Sequence, residues 1–191
     1  MSDNERKTWI MLKKAYTIVP FNTDIIPKFD SNNTGTDKYG TWKVSATWLP
    51  EDLIKYGNQN VKPYLYKLFD KSDANFEISP TEASYQLTDI ITLEVPDGIS
   101  INPTQFYVKT PGSQGNRSGT GVIEGYNNQT GQWEQITDTF SIYSSKTWYV
   151  NTTSDGYYTK FKFTFIKNPY NSWGCNFINE IKILSGNIKI G

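Results

Sequence analysis

The chain has 191 residues, 37% of them apolar and 15% aromatic, and its nineteen basic residues cancel nineteen acidic ones. That length suits about one domain with a real core, and the aromatic share supplies bulky material to fill it. With no His, a single Cys (Cys175) and only two Arg (Arg6 and Arg117), the composition sets aside Ser/His and Cys/His catalysis, His-bearing zinc sites, an internal disulfide and a phosphate-reading surface for nucleic acid.

In chain order, residues 1–7 are polar and carry no apolar leader behind a basic start, so no export signal is expected. No apolar run reaches 18 residues, and no membrane insertion is expected. The segment 3–16, with Trp9, Ile10, Met11 and Leu12 among charges, fits either a short helix or a first strand. Short apolar pieces at 17–19 and 24–26, broken by Pro20 and Pro27, fit edge strands or an arm lying across another surface.

The polar stretch 30–40 reads as a loop, and 42–48 alternates as the first strand of a sandwich. Residues 50–57 open with Pro and acids and stop at Gly57, which predicts a short helix. Residues 63–69 form a compact apolar turn, 85–95 a long strand, and Phe106–Lys109 the start of the next. Residues 110–120 are a Gly/Ser-rich loop of the ligand-facing kind.

The last third carries the clearest pattern. Phe161, Phe163 and Phe165 alternate with Lys160, Lys162 and Thr164, the period of a half-buried strand. Turn chemistry at 127–131 and 154–156 joins neighbouring strands, and a final strand from Ile178 to Leu184 is expected to stop at Ser185-Gly186. Eight or more short strands with one or two helical turns predict an all-β, two-sheet sandwich.

The order of these segments resembles discoidin-like domains, also called coagulation-factor type C or galactose-binding-like domains. Tyr66-Lys67-Leu68-Phe69-Asp70 is similar to the family's Ala-Phe-Asp-Gly segment, although Lys71 stands where the family has Gly. Val122–Tyr126 with Gly131-Gln132-Trp133-Glu134 resembles its Gly-x-Trp hairpin. Phe161–Phe165 resembles its phenylalanine-rich strand, and Ile178–Ile183 its closing Glu-Ile strand. The likeness spans roughly residues 42–186 and implies a jelly-roll β-sandwich over 41–191, preceded by an extended N-terminal arm over 1–40. The stretch 26–34 also resembles the segment before such domains in bacteriophage tail-fibre and other virion proteins.

The resemblance implies candidate sites. Calcium, with its appetite for six to eight oxygens, would draw on Asp70, Asp73 and Glu180 and backbone oxygens near Lys71. A sugar would meet Trp173 and Tyr170 with Asn171 and Arg117 reading hydroxyls; alternatively Trp173 plugs the end of the core or a subunit contact. Trp133 is expected in the core, Cys175 as a buried small hydrophobe, and one of Trp148 and Tyr149 pointing inward. The expectation is a non-enzymatic bacteriophage virion structural protein, in head decoration or a tail or fibre appendage. It would assemble with other virion proteins or as a homo-oligomer, contact host surface glycans, and leave the cell by lysis. The alternative is a free carbohydrate-binding module recognising a polysaccharide.

Overall fold

The computed structural model describes residues 16–20, 22–47, 55–56, 59–60, 62–72, 88–110, 118–143, 147–167 and 178–191. Its elements are β1 (Tyr16–Val19), β2 (Thr34–Asp37), β3 (Gly40–Thr47), β4 (Lys55–Tyr56), β5 (Gln59–Asn60), a 3-10 helix (Lys62–Leu68), β6 (Thr88–Glu94), β7 (Ile99–Lys109), β8 (Ser118–Asn127), β9 (Gln132–Gln135), β10 (Phe140–Tyr143), β11 (Thr147–Asn151), β12 (Lys160–Lys167) and β13 (Glu180–Ile190). They form a sandwich of two antiparallel sheets. One runs β1-β13-β7-β11; the other runs β10-β8-β12-β6-β3-β2, with β9 added beside β8.

The alternation seen in the sequence decides which faces meet. Phe161, Phe163 and Phe165 of β12, Ile91 and Leu93 of β6, and Trp42 and Val44 of β3 are buried on the inner face of the larger sheet. Opposite them, Phe106 of β7 packs edge-on between Phe161 and Phe163, at centroid distances of 5.7 and 5.8 Å. Truncating a buried phenylalanine of this kind costs about 3–5 kcal/mol, so this contact is a principal tie between the sheets.

Residues 16–37 fall within the expected arm, whose apolar pieces fit either edge strands or an arm; they are built into the sandwich, with β1 and β2 as edge strands. β1 pairs with β13 and β2 with β3, while Ile25, Ile26 and Phe29 are buried. Phe29 lies 5.1 Å from the ring of Phe69, and its N–H donates to the Phe69 carbonyl at 3.1 Å. The apolar pieces between Pro20 and Pro27 follow their side chains into the core. Where a helix was expected over 50–57, Lys55 and Tyr56 pair instead with Asn60 and Gln59; 50–54 and 57 lie outside the described residues, as does 3–15.

The closing strand does not stop at Ser185-Gly186 but continues to Ile190. The reason is a bulge. Ile183 pairs with Phe106, Ser185 with Gln105 and Gly186 with Pro103, with register shifts between them. Pro103 has no N–H to donate, and bulges accommodate such a residue inside a sheet. A Cβ on Gly186 would run into the backbone of Asn102 and Pro103, so the glycine serves close approach rather than a turn. Past the bulge, the buried residues switch from Ile181 and Ile183 to Ile188 on β13, and from Phe106 and Val108 to Ile99 and Ile101 on β7.

Candidate functional site

The sandwich has two ends. At the upper end β7 and β12 finish and β8 and β13 begin; at the lower end lie the turns after β6 and after β8. Arg117, Tyr170, Asn171 and Trp173 lie outside the described residues, together with Asp73 and Cys175. The structure places the strand ends that carry them. Residues 111–117 join β7 to β8, and 168–177 join β12 to β13. Lys109 is the ladder partner of Glu180, and Gly119 is the ladder partner of Lys167. All four strand ends therefore meet at the upper end, with Arg117 two residues and Tyr170 three residues from the Gly119–Lys167 pair.

Among the described residues, Tyr143 and Trp148 stand at this end. Thr110 donates its hydroxyl to the Tyr143 carbonyl at 2.7 Å, tying the end of β7 to the end of β10. Tyr143 is 47% exposed, and its ring lies 5.9 Å from that of Trp148. The Trp148 Nε1–H is buried and has no acceptor among the described residues. Sequence reasoning passed over Tyr143, whose only signal is its place as the last residue of an alternating run. Of the pair at 148 and 149, Trp148 packs on the core and Tyr149 faces out, 61% exposed.

Trp133 is not in the core. It pairs with Tyr126 across β8 and β9, and Tyr126 shares the outward face of β8 with Glu124. The indole is half-buried there, 5.3 Å from the Tyr126 ring and capped by the Lys162 ammonium at 4.5 Å. Lys162 also pairs with Glu124 at 2.8 Å. The residue that fills the interior beneath this hairpin is Tyr158, which is fully buried.

Of the set expected to hold calcium, the structure describes Asp70, Lys71 and Glu180. Lys71 adopts φ 58°, the left-handed conformation that glycine favours, so the chain keeps an Asp-Gly backbone shape with a lysine in it. Asp70 Oδ1 accepts from the Ser72 N–H at 2.8 Å. The Lys71 ammonium reaches Asp24 at 3.4 Å, and buried Glu180 pairs with Lys182 at 3.1 Å. Burial pushes the Asp24 carboxyl up, against the pull of Lys71, the Ile26 N–H and Lys182. Among the described residues no three acidic or thiol side chains gather as a metal cage. Of this set, Glu180 carries an ammonium partner and Asp70 holds the Ser72 N–H, while Asp73 lies outside the described residues.

No family model and no curated protein matches the sequence. Among solved structures, the chain is similar to the family 32 carbohydrate-binding module of Clostridium perfringens NanJ in complex with galactose. The match has 16% identity and a TM-score of 0.51, over 76% of this chain and 93% of that one. It is also similar to the Clostridium perfringens module CpGH89CBM32-5 in complex with GalNAc-β-1,3-galactose, at 13% identity and a TM-score of 0.50, over 74% of this chain and 93% of that one. A putative α-L-fucosidase from Bacteroides thetaiotaomicron matches at 15% identity and a TM-score of 0.51, covering 76% of this chain but 28% of that one. At such identities the likeness is one of fold. The chain carries the galactose-binding-like, two-sheet β-sandwich of these modules.

Proposed function

We propose that the chain is a non-enzymatic carbohydrate-binding module that holds a glycan at the upper end of the sandwich. The observation that carries this reading is the strand register. The stretch containing Arg117 and the stretch containing Tyr170, Asn171 and Trp173 connect strand ends that are direct ladder partners. An aromatic ring stacked on a pyranose face, with a guanidinium and an amide reading hydroxyls, is the chemistry that these residue types supply to a sugar. The fold likeness to modules in complex with galactose and with GalNAc-β-1,3-galactose supports the same reading and makes galactose-type sugars the first probes.

The test is titration of the full chain with galactose-terminated oligosaccharides, followed calorimetrically, beside Trp173→Ala and Arg117→Ala. Saturable binding that each substitution weakens roughly tenfold or more, the scale of about 1.4 kcal/mol, with melting temperature unchanged, is the expected result. Absence of saturable binding across a broad glycan panel would overturn the reading.

A compatible placement rests on residues 26–34, whose resemblance to the lead-in of virion proteins favours a structural part of a bacteriophage particle. In that setting the module decorates the head or a tail appendage, beside other virion proteins or copies of itself, and touches host surface glycans. Antibody-gold labelling of purified particles tests it: label on particles supports the placement, and unlabelled particles leave a free module.

A further inference from the structure

The lower end of the sandwich carries a second concavity that none of the foregoing uses. It is a groove of about 360 Å³ between the turn after β6, the turn after β8, residues 156–159 and the end of β13. That volume falls within the roughly 300–1,000 Å³ of small-molecule sites. Its walls follow from the ladder. Ser100 pairs with Lys189, and the next residue, Ile101, bridges to Tyr158. Because Ile101, Tyr158 and Ile188 point into the core, their neighbours Ser100, Tyr157 and Lys189 face outward. A small serine thus floors a trough with an aromatic ring on one side and a lysine on the other. The Lys189 ammonium lies 5.8 Å from the Tyr157 ring centre.

The rim is fixed by its own hydrogen bonds. Asn127 Oδ1 accepts from the Gln129 N–H at 2.9 Å, and its amide nitrogen donates to Glu134 at 2.9 Å, so this side chain shapes the turn. Asn128 Oδ1 accepts from the Thr159 hydroxyl at 2.8 Å, which turns its amide N–H groups outward. Gln129 stands exposed beside it. No Asp or Glu side chain lines the groove, and Lys189 makes no ion pair among the described residues. Gly191 closes one edge, its N–H donating to the Gly98 carbonyl at 3.0 Å. A half-buried ammonium outside these ion pairs, beside amide donors, a hydroxyl and an aromatic wall, is complementary to an anion that also carries hydroxyls.

We propose that this groove binds an acidic saccharide unit, a hexuronate. Its carboxylate sits on the Lys189 ammonium, its ring lies against Tyr157, and its hydroxyls accept from Asn128 and Gln129. The site is at the opposite end of the sandwich from the loops assigned to neutral sugar, so the two readings stand or fall separately.

The experiment is amide-resolved NMR titration of the full chain with oligogalacturonate, and in parallel with the neutral galactose oligosaccharides, in wild type, Lys189→Gln and Trp173→Ala. Oligogalacturonate is expected to shift the signals of Ser100, Asn128, Gln129 and Lys189 in a saturable way. Lys189→Gln weakens that binding roughly tenfold or more, as loss of a charge-assisted hydrogen bond does, and added salt weakens it in wild type. Trp173→Ala leaves it unchanged. Saturable binding that Lys189→Gln does not alter, shifts confined to the upper end, or no saturable shift at all would overturn the proposal. Loss of galactose binding alone counts against the upper site and leaves this one standing.

Discussion

Tyr158 lies with its ring flat against the backbone of Gly125, so close that a Cβ at position 125 would overlap three atoms of the ring. β8 carries glycine at this inward position because the tyrosine, arriving from the segment before β12, fills the space that a side chain would take. Gly125→Ala is therefore expected to destabilise the domain by about 1–3 kcal/mol, the scale of overpacking in a tight core. Urea unfolding, with an unchanged m-value and a lowered midpoint, checks this.

The tyrosine hydroxyl is also committed. It donates to Glu134 at 3.0 Å and lies 2.6 Å from the Ser154 hydroxyl, which in turn accepts from the Gly156 N–H at 3.2 Å. This chain of bonds holds the β11–β12 connection against β9. Tyr158→Phe keeps the ring and removes the hydroxyl, and is expected to cost about 1–2 kcal/mol. Faster amide exchange at Gly156 in the variant would identify the connection as the part that loosens, and unchanged exchange there would refute the link.

Burial pushes the Asp24 carboxyl above its ordinary value, with Lys71 as the largest opposing influence. A raised folded-state pKa means that the folded protein holds the proton more tightly than the unfolded chain. The contribution of Asp24 is thus most favourable below the ordinary carboxyl value and declines as pH rises through the raised one. Lys71→Met removes the partner that limits the decline. Because Lys71 is 41% exposed, the expected cost at neutral pH is about 1 kcal/mol. It should shrink as pH falls below the ordinary carboxyl range and vanish in an Asp24→Asn background. An equal cost at both ends of the pH range would sink this assignment.

The same lysine bears on metal. With ammonium groups on Asp24 and Glu180, thermal melts in calcium and in chelator are expected to superimpose. A melting temperature lowered by chelator and restored by calcium would show that the Asp70 segment holds an ion despite its lysine.

The sandwich was legible wherever one face of a strand is apolar and the other polar, as in 160–166 and 40–47. It was illegible where that rhythm is interrupted. β7 was expected only from Phe106, because Asn102-Pro103-Thr104 breaks the alternation, and the rule that proline leaves central strands is relaxed by the bulge at Gly186. Trp133 was misplaced because a tryptophan after a glycine reads as core material, whereas its register partner Tyr126 fixes it on the outer face. Tyr158 sits in a turn-rich stretch and has no periodic neighbours to announce it. The neighbourhood of the strand ends at 109, 119, 167 and 180 was not legible, since it depends on pairings between strands far apart in sequence.

The bulge has a meaning beyond strand length. Below it the inward side chains of β7 are odd-numbered and those of β13 even-numbered; above it both are reversed. A residue gained or lost near one end can be absorbed at this phase change, without turning every side chain at the other end inside out. The two ends of the sandwich are in that sense separately editable, and surface chemistry can drift at one while the other keeps its pattern.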